Sequence, residues 1–565
     1  MKYWPLLICW VLGCQPAEEE MPPSLPNIVW IVAEDLSPII PPFGDSTAAT
    51  PQLNRLAAEG IRYPNTFSVA GVCAPSRAAL ATGMYPISIG AQHMRNQSYQ
   101  AYFDDLGIPA YEAVPPPAAR MISQRLRQIG YFCTNNDKQD YQFAAPLTAW
   151  DEQGPNAHYR HRPDADQPFF SIFNLGITHE SQVWTTGLKN LRWTEGFEDP
   201  AREHPRWKDR LEGDDRPLLT VGPAEVQIPP YLVDDEVTRQ DVARVYSNIE
   251  ILDRQLGLLL DQLAADGLLD NTIVVWYTDH GGPLPRQKRL LYDSGLRVPL
   301  IIRWPDQYGA GTLDSSLVSF VDFAPSTYRM VGLDQPDYLQ GVASLGRGSD
   351  LPKREYAYGA ADRLDEIYDR IRAVTDGRFK YLRNYYPERG YYLPVSYREQ
   401  MGAMQSLLAG RDAGTLNEYQ AQWFRAEKPQ EELFDTAVDP HELHNLADDP
   451  SYATQLAELR AVCDAWLAEV GDLSDWPEPE LVAHLWQGNE QPQVARPYLR
   501  RDSLGRFVLI SETPGAEIAY RIWPQDSARS AWRIYQQPLE WTRGDSLTAI
   551  AHRIGYLPSE IAAGR

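Results

Sequence analysis

The sequence of 565 residues predicts an α/β fold, a sandwich of helices around a large and mostly parallel β-sheet. Short apolar runs that are typical of buried strands alternate along the chain with stretches of helical periodicity. Acidic residues and histidines follow directly after several of these runs, at the place where α/β sheets bind their ligands. Together these observations predict the fold and the edge of the sheet at which a functional site lies.

The first strand is predicted in NIVWIVAEDL (27–36), an apolar run that ends in two carboxylates. A helix is predicted after it, in TPQLNRLAAEGIRY. Thr50 is a suitable N-cap, Pro51 suits the first helical position, and Gly60 ends the helical pattern. This strand and helix form the first unit of the predicted alternation.

The alternation continues through the middle of the chain. A helix is predicted from about Pro117 to Gln128, and Gly130 separates it from the strand YFCT. The segment PFFSIFNLG (168–176) is predicted as a central strand. Apolar residues at helical spacing predict a long amphipathic helix over roughly 235–265.

Two more strands, in NTIVVWYTDHGG and VPLIIRWP, complete the predicted sheet. Carboxylates and imidazoles lie at or just past the ends of the strands, and they are Glu34, Asp35, His179, Asp279 and His280. Because Ca²⁺ accepts six to eight oxygen ligands, such an oxygen-rich group suits a hard divalent cation. A Zn²⁺ site would need more His and Cys.

The composition indicates a folded protein of two or three domains and excludes some partners. Hydrophobic residues make up 43% of the chain, as in globular proteins. The chain has 52 Lys and Arg against 76 Asp and Glu, a formal net charge of −24. This charge argues against nucleic acid and anionic membrane surfaces as partners. An anionic substrate would require a local cluster of Lys, Arg and metal.

The amino terminus is predicted to be a targeting segment. Lys2 precedes an apolar run over 3–12, which is too short to span a membrane. The run ends in VLGC, which resembles the lipobox of bacterial lipoproteins, so Cys14 is the expected lipidation site. We expect an exported periplasmic or cell-surface lipoprotein of a bacterium, attached to the membrane only by the lipid. An ordinary signal peptide cut nearby is the alternative.

Three cysteines follow this leader, an odd number for an oxidising compartment. Cys133 and Cys463 suit buried packing positions in a strand and a helix. Cys73, in GVCAPSRAALATG, is the cysteine that needs another explanation.

The segment CAPSR followed by ATG resembles the signature of the type I sulfatases, in which the cysteine is converted to formylglycine. Four further segments resemble parts of the same family, and they are NIVWIVAEDL, GYFCTNNDKQDY, TDHGGPLPRQKRLLYDSGLRVPLIIRWP and EELFDTAVDPHELHNLADDP. The resemblance covers about residues 26–475. VAEDLSP, GAQHMRN and CTNNDKQDY are most similar to the branch related to heparan N-sulfatase (sulfamidase).

The resemblance implies an alkaline-phosphatase-like sandwich and a division of the chain. The leader is expected over 1–20, the catalytic domain over 25–345 and a smaller α+β subdomain over 346–478. The remainder, 482–565, shows short alternating strands and is similar to the β-sandwich at the carboxyl end of chitobiase. Packing against the enzyme is the role expected for this last domain.

The resemblance also implies the metal site. Glu34, Asp35, Asp279 and His280 match the ligands of one Ca²⁺ ion, to which the formylglycine made from Cys73 is added. The family usually has Asp at the first of these positions, so the longer Glu34 is a departure. A hydrated aldehyde supplies one hydroxyl to attack sulfur and a second to release sulfate.

Catalytic roles follow from the same matches. Arg77 is expected to steady the formylglycine, and Lys138 and Lys288 to hold sulfate oxygens. Arg286 and Arg289 flank Lys288, so its role could belong to either neighbour. His179 is expected to lie near the leaving oxygen as a general acid, with a structural loop histidine as the alternative.

Other positions are less closely matched. Many relatives have Lys-x-His where this chain has Lys138-Gln139-Asp140, so Asp140 is either a base or a group that orients the lysine. Sugar-binding residues are expected in two polar, aromatic-rich segments, and they are His93, Arg363 and Asp365. Surface ion pairs are the alternative for these three.

The implied function is hydrolysis of O- or N-linked sulfate on a sulfated polysaccharide or its oligosaccharides. The implied partners are the sulfated glycan and an enzyme that makes formylglycine, either the formylglycine-generating enzyme or an anaerobic maturase. A phosphodiesterase or phosphonate hydrolase of the same superfamily is the alternative enzyme. A glycan-binding lipoprotein without turnover is the alternative if Cys73 is never modified.

Overall fold

The computed structural model describes residues 25–94, 96, 110–183, 219–365, 367–523, 525, 532–540 and 545–564. The predicted leader and Cys14 lie outside the described residues. No helix within these described ranges is long and apolar enough to cross a membrane.

An eight-stranded sheet forms the centre of the molecule, in the order β4-β3-β5-β1-β6-β7-β2-β8. Its strands are β1 Asn27–Ala33, β2 Ile61–Phe67, β3 Phe132–Asn136, β4 Glu152–Gln153, β5 Phe169–Leu175, β6 Thr272–Thr278, β7 Arg297–Arg303 and β8 Val318–Ser319. β1 pairs in parallel with β5 and β6, and β3 pairs in parallel with β4 and β5. The mostly parallel sheet is confirmed. β7 runs antiparallel to both β6 and β2.

Ten α-helices are described. They are α1 Pro51–Glu59, α2 Cys73–Thr82, α3 Ile122–Gln128, α4 Glu236–Ala265, α5 Asp293–Leu296, α6 Phe323–Met330, α7 Gly402–Ala413, α8 Glu418–Ala421, α9 Ala453–Val470 and α10 Glu478–Trp486. The 30-residue α4 agrees closely with the long amphipathic helix predicted from the apolar spacing.

Helices cover both faces of the sheet, as the sandwich prediction requires. Alternate residues of β1 belong to different cores, because successive side chains of a strand point to opposite faces. Val29 and Ile31 pack with α1 and α4 on one face. Trp30 and Val32 pack with α2, α3 and α6 on the other. Every residue of β1 is buried, which explains its continuous apolar sequence.

A second sheet follows the catalytic core in sequence. It is antiparallel, in the order β12-β11-β10-β9, with β9 Ala357–Ala361, β10 Ile371–Thr375, β11 Phe379–Asn384 and β12 Glu431–Asp435. Helix α9 packs on it through Leu459 and Cys463. Cys463 and Cys133 are both buried and unpaired, in agreement with their predicted packing roles.

The carboxyl-terminal part contains two small antiparallel sheets with a common core. One consists of β13 Tyr498–Arg501 and β14 Phe507–Ile510, and the other of β15 Glu517–Trp523, β16 Arg533–Ile534, β17 Ser546–His552 and β18 Ala562–Gly564. The boundary expected at 478–482 falls inside α10, which links the two regions. The division of the chain into domains stays a prediction.

Two local predictions differ from the structure. The helix expected from Pro117 begins only at Ile122, where the Gln124 side chain accepts a hydrogen bond from the N–H of Met121 at 2.8 Å. Thr50 occupies the N-cap position of α1, but its side chain makes no capping hydrogen bond.

Candidate active site

The carboxyl ends of β1 and β6 place two pairs of polar residues side by side. The two strands end at paired positions of their parallel register. Glu34 and Asp35 therefore leave the sheet next to Asp279 and His280. The N–H of Asp35 donates to Asp279 Oδ1 at 3.1 Å, and Asp35 itself has a positive φ of 48°. All four side chains are buried.

His280 faces the carboxylates through one ring nitrogen. Its Nδ1 lies 3.0 Å from the carbonyl oxygen of Gly281, which can only accept, so Nδ1 carries a proton. Its Nε2 lies 2.9 Å from Asp35 Oδ1 and 3.8 Å from Asp279 Oδ1. Burial lowers the pKa of His280, but the charges of Asp279 and Asp35 outweigh it and raise that pKa to about 10.

Cys73 is the first residue of α2 and is fully buried at the same place. Its Sγ lies 3.4 Å from His280 Nε2 and 3.9 Å from Asp35 Oδ1. Burial raises the pKa of the thiol, but the nearby Lys138 and Lys288 outweigh this effect and lower the pKa to about 7.

The donor atoms around Cys73 fit a hard cation. The carboxylate, thiol and imidazole atoms of Asp35, Cys73, Asp279 and His280 lie within 4.8 Å of one another. Glu34 joins a second such group that shares Asp35 and Cys73. Three carboxylates supply up to six oxygens, which is the donor chemistry that Ca²⁺ prefers. The side chains present therefore fit the calcium site that the sequence predicts.

Arg77 lies one helical turn after Cys73, on the same face of α2. Its Nε donates to Asp279 Oδ2 at 3.0 Å, and Nη1 donates to Asn174 Oδ1 at 2.6 Å. Its Nη2 is 3.8 Å from Glu34 Oε1. Burial opposes its charge, yet Asp279 and Glu34 raise the pKa of Arg77. This guanidinium therefore connects the ends of β1, β5 and β6.

Two lysines contact the predicted metal ligands. Lys138 Nζ donates to Glu34 Oε2 at 2.8 Å, and Lys288 Nζ donates to Asp35 Oδ2 at 2.6 Å. The longer side chain of Glu34 thus meets Lys138 directly. Both ammonium groups stand close enough to Cys73 to lower the pKa of its thiol. Cys73 therefore lies between the carboxylates of the cluster and two ammonium groups.

The basic residues next to Lys288 point elsewhere. Arg289 forms a bidentate salt bridge with Glu180, in which Nη1 donates to Oε2 at 3.0 Å and Nη2 donates to Oε1 at 2.9 Å. Arg286 donates to main-chain carbonyls of residues 441 and 442. Of these three basic side chains, Lys288 alone donates to a predicted metal ligand. The geometry therefore favours Lys288 over its two neighbours.

His179 lies on the solvent side of this cluster, and its side chain is 13% exposed. Its Nε2 is 3.3 Å from Lys288 Nζ, and its Nδ1 is 2.8 Å from Ser181 Oγ. The ring of Tyr397 is 6.3 Å away between centroids. His179 is thus held between Ser181 and Lys288 on the more exposed side of the cluster.

Glu180 is a residue that the sequence reasoning missed. Its side chain is 1% exposed, and Oε1 lies 3.1 Å from Lys288 Nζ in addition to the Arg289 contacts. Its N–H donates to Asp35 Oδ2 at 2.8 Å. Burial raises the pKa of Glu180, but Arg289 and Lys288 lower it to about 2 overall. The signal in the sequence that could have identified Glu180 is its position directly after the predicted site residue His179.

The residues expected to bind sugar lie mostly outside the cluster. Arg363 is 1% exposed and pairs with Glu478 at 2.8 and 2.7 Å. Its N–H donates to Nδ1 of the fully buried His93 at 3.2 Å. Asp365 accepts from Arg289 Nε, so it alone of the three connects to the Lys288 surroundings. The buried pair of Arg363 explains that side chain as structural support.

Asp140 follows Lys138 in a tight loop and has a positive φ of 54°. It is half-buried, and no hydrogen bond links its side chain to another residue in the described part of the chain. The base role and the orienting role of Asp140 both stay predictions.

Comparisons with known proteins agree with this geometry. The Sulfatase family profile matches residues 26–131 and 156–333, and a profile for the N-sulphoglucosamine sulphohydrolase C-terminal region matches 286–399. An ulvan-active sulfatase of Formosa agariphila is 48% identical over 557 residues, covering 97% of this chain and 92% of the relative. Human N-sulphoglucosamine sulphohydrolase is 23% identical over 477 residues, covering 79% of this chain and 90% of its own.

Solved structures share the fold. A structure of a protein with its substrate D-glucosamine-2-N,6-O-disulfate superposes with a TM-score of 0.53 at 19% identity, covering 79% of this chain and 98% of that one. A 2-O glycosaminoglycan sulfatase gives 0.54 at 18% identity, covering 81% and 96%. These similarities confirm the alkaline-phosphatase-like fold that the resemblance implied. With half of the chain matched by the profile and a 48% identical relative over nearly its whole length, this chain belongs to the sulfatase family of sulfuric ester hydrolases.

Proposed function

We propose that the protein removes sulfate groups, O- or N-linked, from a sulfated polysaccharide or its oligosaccharides. The observation that carries the proposal is the fully buried Cys73 with carboxylates on one side and Lys138 and Lys288 nearby. Positive charge at this place suits a sulfate group. The names of two relatives, an ulvan-active sulfatase and a sulphoglucosamine sulphohydrolase, support a sulfated glycan as substrate.

Position 73 acts in this proposal as formylglycine, made by a separate maturation enzyme that oxidises the Cys73 side chain. In its hydrated form the group supplies one hydroxyl that attacks sulfur and a second that later releases sulfate. Arg77 steadies this position because it lies one turn along α2 and is fixed by Asp279 and Asn174. All residues of α2 are buried, so the position of residue 73 is fixed by the surrounding protein.

Glu34, Asp35, Asp279 and His280 hold one calcium ion in this proposal. The ion supplies positive charge that polarises the bound sulfate and balances the carboxylates. Lys288 Nζ contacts Asp35 and Lys138 Nζ contacts Glu34, so both ammonium groups lie beside the residues that would hold the ion. In this proposal Lys288 and Lys138 each bind a sulfate oxygen.

His179 donates the proton that the leaving group requires. When the bond from sulfur to the sugar oxygen or nitrogen breaks, that atom takes a proton from the imidazole and departs as a neutral alcohol or amine. The partial exposure of His179 supports a binding mode in which the sugar lies on the solvent side. The second hydroxyl then loses its proton to the imidazole of His179, its oxygen forms the aldehyde, and sulfate leaves. Water adds to the aldehyde and restores the diol.

Export also belongs to this proposal. A large polysaccharide is met outside the cytoplasm, and VLGC at residues 11–14 has the form of a lipidation site. We place the protein in the periplasm or at the cell surface, anchored by lipid on Cys14.

Peptide mass and sulfate release test the proposal together. The tryptic peptide containing residue 73, from protein made in a host with a maturation enzyme, should be about 18 Da lighter than its cysteine form. C73A should release no sulfate from ulvan oligosaccharides, whereas C133A, which changes another buried free thiol, should keep full activity. A protein that releases sulfate with an unmodified thiol at position 73 contradicts the mechanism. Hydrolysis of phosphate diesters to monoesters at a higher rate than hydrolysis of sulfate esters contradicts the substrate class.

A further inference from the structure

The loop that carries Lys288, residues 284–293, lies between the Cys73 segment and the carboxyl-terminal subdomain. We infer that this subdomain completes the sulfate site, because Glu442 and its neighbours hold the Lys288 loop in its working position. Glu442 is then a positioning residue, which acts on the reaction through Lys288. The inference deepens the proposed function and rests on the sulfate-binding role of Lys288.

The backbone of this loop is strained at two residues, so contacts with the surrounding protein must stabilise it. Arg286 has a φ of 66° and Arg289 a φ of 76°, both in the left-handed region that costs energy for residues with a side chain. Lys288 lies between these two residues. Strained conformations of this kind persist only where surrounding contacts determine them. The contacts of the two arginines therefore decide where Lys288 points.

Arg286 is held by the subdomain. Its Nη1 donates to the carbonyl of His441 at 2.9 Å, and its Nη2 donates to the carbonyl of Glu442 at 2.7 Å. The guanidinium carbon lies 4.0 Å from the ring centroid of Tyr292 and 4.8 Å from that of Tyr231. Because two main-chain carbonyls accept hydrogen bonds from the Arg286 guanidinium, a shift of the 441–442 segment moves Arg286 with it.

The Glu442 side chain holds the other end of the loop. Its Oε2 accepts the N–H of Asp293 at 2.6 Å, and Oε1 lies 3.5 Å from Lys380 Nζ. Lys380, on β11, also pairs with the Asp293 carboxylate and donates to the carbonyl of Leu291 at 3.3 Å. Glu442 and Lys380 are 2% and 0% exposed, so these bonds are formed without competition from water.

The opposite side of the loop touches the segment before Cys73. The N–H of Arg289 donates to the carbonyl of Gly71 at 2.8 Å. A Cβ at Gly71 would lie 2.5 Å from the carbonyl oxygen of Leu290, so only glycine permits this approach. The loop is thus enclosed between the Cys73 segment and the subdomain. Loosening one side leaves Lys288 free to move relative to Cys73.

This arrangement gives a role to VDPHEL (438–443), which begins 150 residues after Lys288 in the sequence. Glu442 has a φ of 52°, so the turn presents both its side chain and its carbonyl to the same loop. A single residue of the subdomain therefore contacts both ends of the Lys288 loop.

Inorganic sulfate as a competitive inhibitor measures the sulfate site separately from folding. In the full-length mature protein, E442A should weaken inhibition by sulfate and lower kcat/KM on ulvan oligosaccharides by about tenfold or more, since a small misplacement near a reacting group is costly. E442Q keeps an oxygen that accepts the Asp293 N–H, so it should restore most of this loss. R286K, which lacks the planar pair of nitrogens that reaches both carbonyls, should weaken sulfate inhibition in the same direction.

R303M is the matched control. Arg303 is a buried arginine paired with Glu59 at 2.7 Å, at the end of β7 away from the site. This change should lower the melting temperature while leaving inhibition by sulfate unaltered. Unaltered sulfate inhibition in folded E442A and R286K, beside a strong loss in K288A, overturns the inference. Unaltered sulfate inhibition in K288A itself overturns instead the proposed role of Lys288.

Discussion

At the scale of single residues, His179 makes the most specific chemical prediction. Its ring is fixed on one edge by Ser181 and faces Lys288 on the other. An acid in this position helps only when the departing atom needs a proton. A sugar alkoxide is a strong base and needs one, whereas a nitrophenolate departs without it.

H179A should therefore lower kcat/KM on ulvan oligosaccharides by roughly 100-fold or more, the usual contribution of a positioned acid. The loss on 4-nitrophenyl sulfate should be much smaller. Sulfate release measured by ion chromatography and nitrophenolate release measured by absorbance give the two rates. H161A, which removes a half-exposed histidine paired with Glu152, is the control and should change neither rate. Equal losses on both substrates would mean that His179 only supports the structure.

The sequence predicted the centre of the site better than its surroundings. Asp35, Cys73 and Asp279 follow from strand ends and a short motif, both of which are local in sequence. Arg363 was expected to bind sugar, and its buried partner Glu478 lies 115 residues later in the chain. Glu180 was missed because its role depends on Arg289, 109 residues away. Long-range charge pairs of this kind leave no local pattern.

At the scale of elements, α1 shows how a distant side chain replaces a local signal. The backbone N–H groups at the start of α1 need acceptors. Asp253, on α4, accepts the N–H of Gln52 at 3.1 Å and that of Leu53 at 2.7 Å. Thr50 was predicted to fill this role and occupies the right position. Asp253 also ties α1 to α4, which the threonine could not do.

D253A should lower the free energy of unfolding by about 1–3 kcal/mol, because two buried N–H groups lose their acceptor. Denaturant unfolding of the full-length protein measures this loss. T50V, which removes a hydroxyl that makes no capping bond, should cost much less. If T50V proves as destabilising as D253A, the capping function belongs to Thr50 after all.

The pH dependence of Asp253 gives an independent check. Burial raises the pKa of its carboxyl to about 6, although the two N–H bonds oppose this shift. Between about pH 4 and pH 6, the unfolded chain releases this proton before the folded protein does, so stability falls as the pH rises. The wild type should therefore lose stability relative to D253N across this range. A constant difference between the two proteins would contradict the raised pKa.

The order of the elements was more predictable than their arrangement. The strands and α4 follow from apolar periodicity, which acts over a few residues. The antiparallel direction of β7 was not predicted. A continuously apolar, buried strand has the same pattern whether it pairs in parallel or antiparallel. The prolines at 115–117 favour extended backbone in the residues before them. The start of α3 at Ile122 coincides with the capping contact between Met121 and Gln124.

At the scale of the whole molecule, the carboxyl-terminal sheets are attached to the catalytic core through a close interface. A Cβ at Gly515 would lie 2.0 Å from the carbonyl oxygen of Pro117, and one at Gly555 would lie 2.5 Å from that of Ala113. Both glycines also have positive φ angles, of 78° and 84°. Backbone thus packs directly on backbone, as in a fixed contact between domains.

Glu517 is the charged centre of this interface and is 9% exposed. Its Oε1 accepts from Arg120 Nε at 2.9 Å and from Gln128 Nε2 at 2.7 Å, and its Oε2 accepts from Gln124 Nε2. All three donors lie in α3 or just before it. Strand β3 follows α3 in the sequence, and Lys138 comes two residues after β3 ends. The packing role predicted for this domain is the one that these contacts favour.

E517A leaves three donors without their acceptor, so it should lower the free energy of unfolding by about 1–3 kcal/mol. It should also speed proteolytic cleavage in the connection at 487–497, because the two regions separate more often. Sulfate-release kinetics below the melting transition should stay unaltered, since no reacting group contacts Glu517. E512A, which changes an exposed carboxylate of the same domain, should leave stability and cleavage as in the wild type. A large fall in kcat for folded E517A would instead mean that the interface controls Lys138 through α3 and β3.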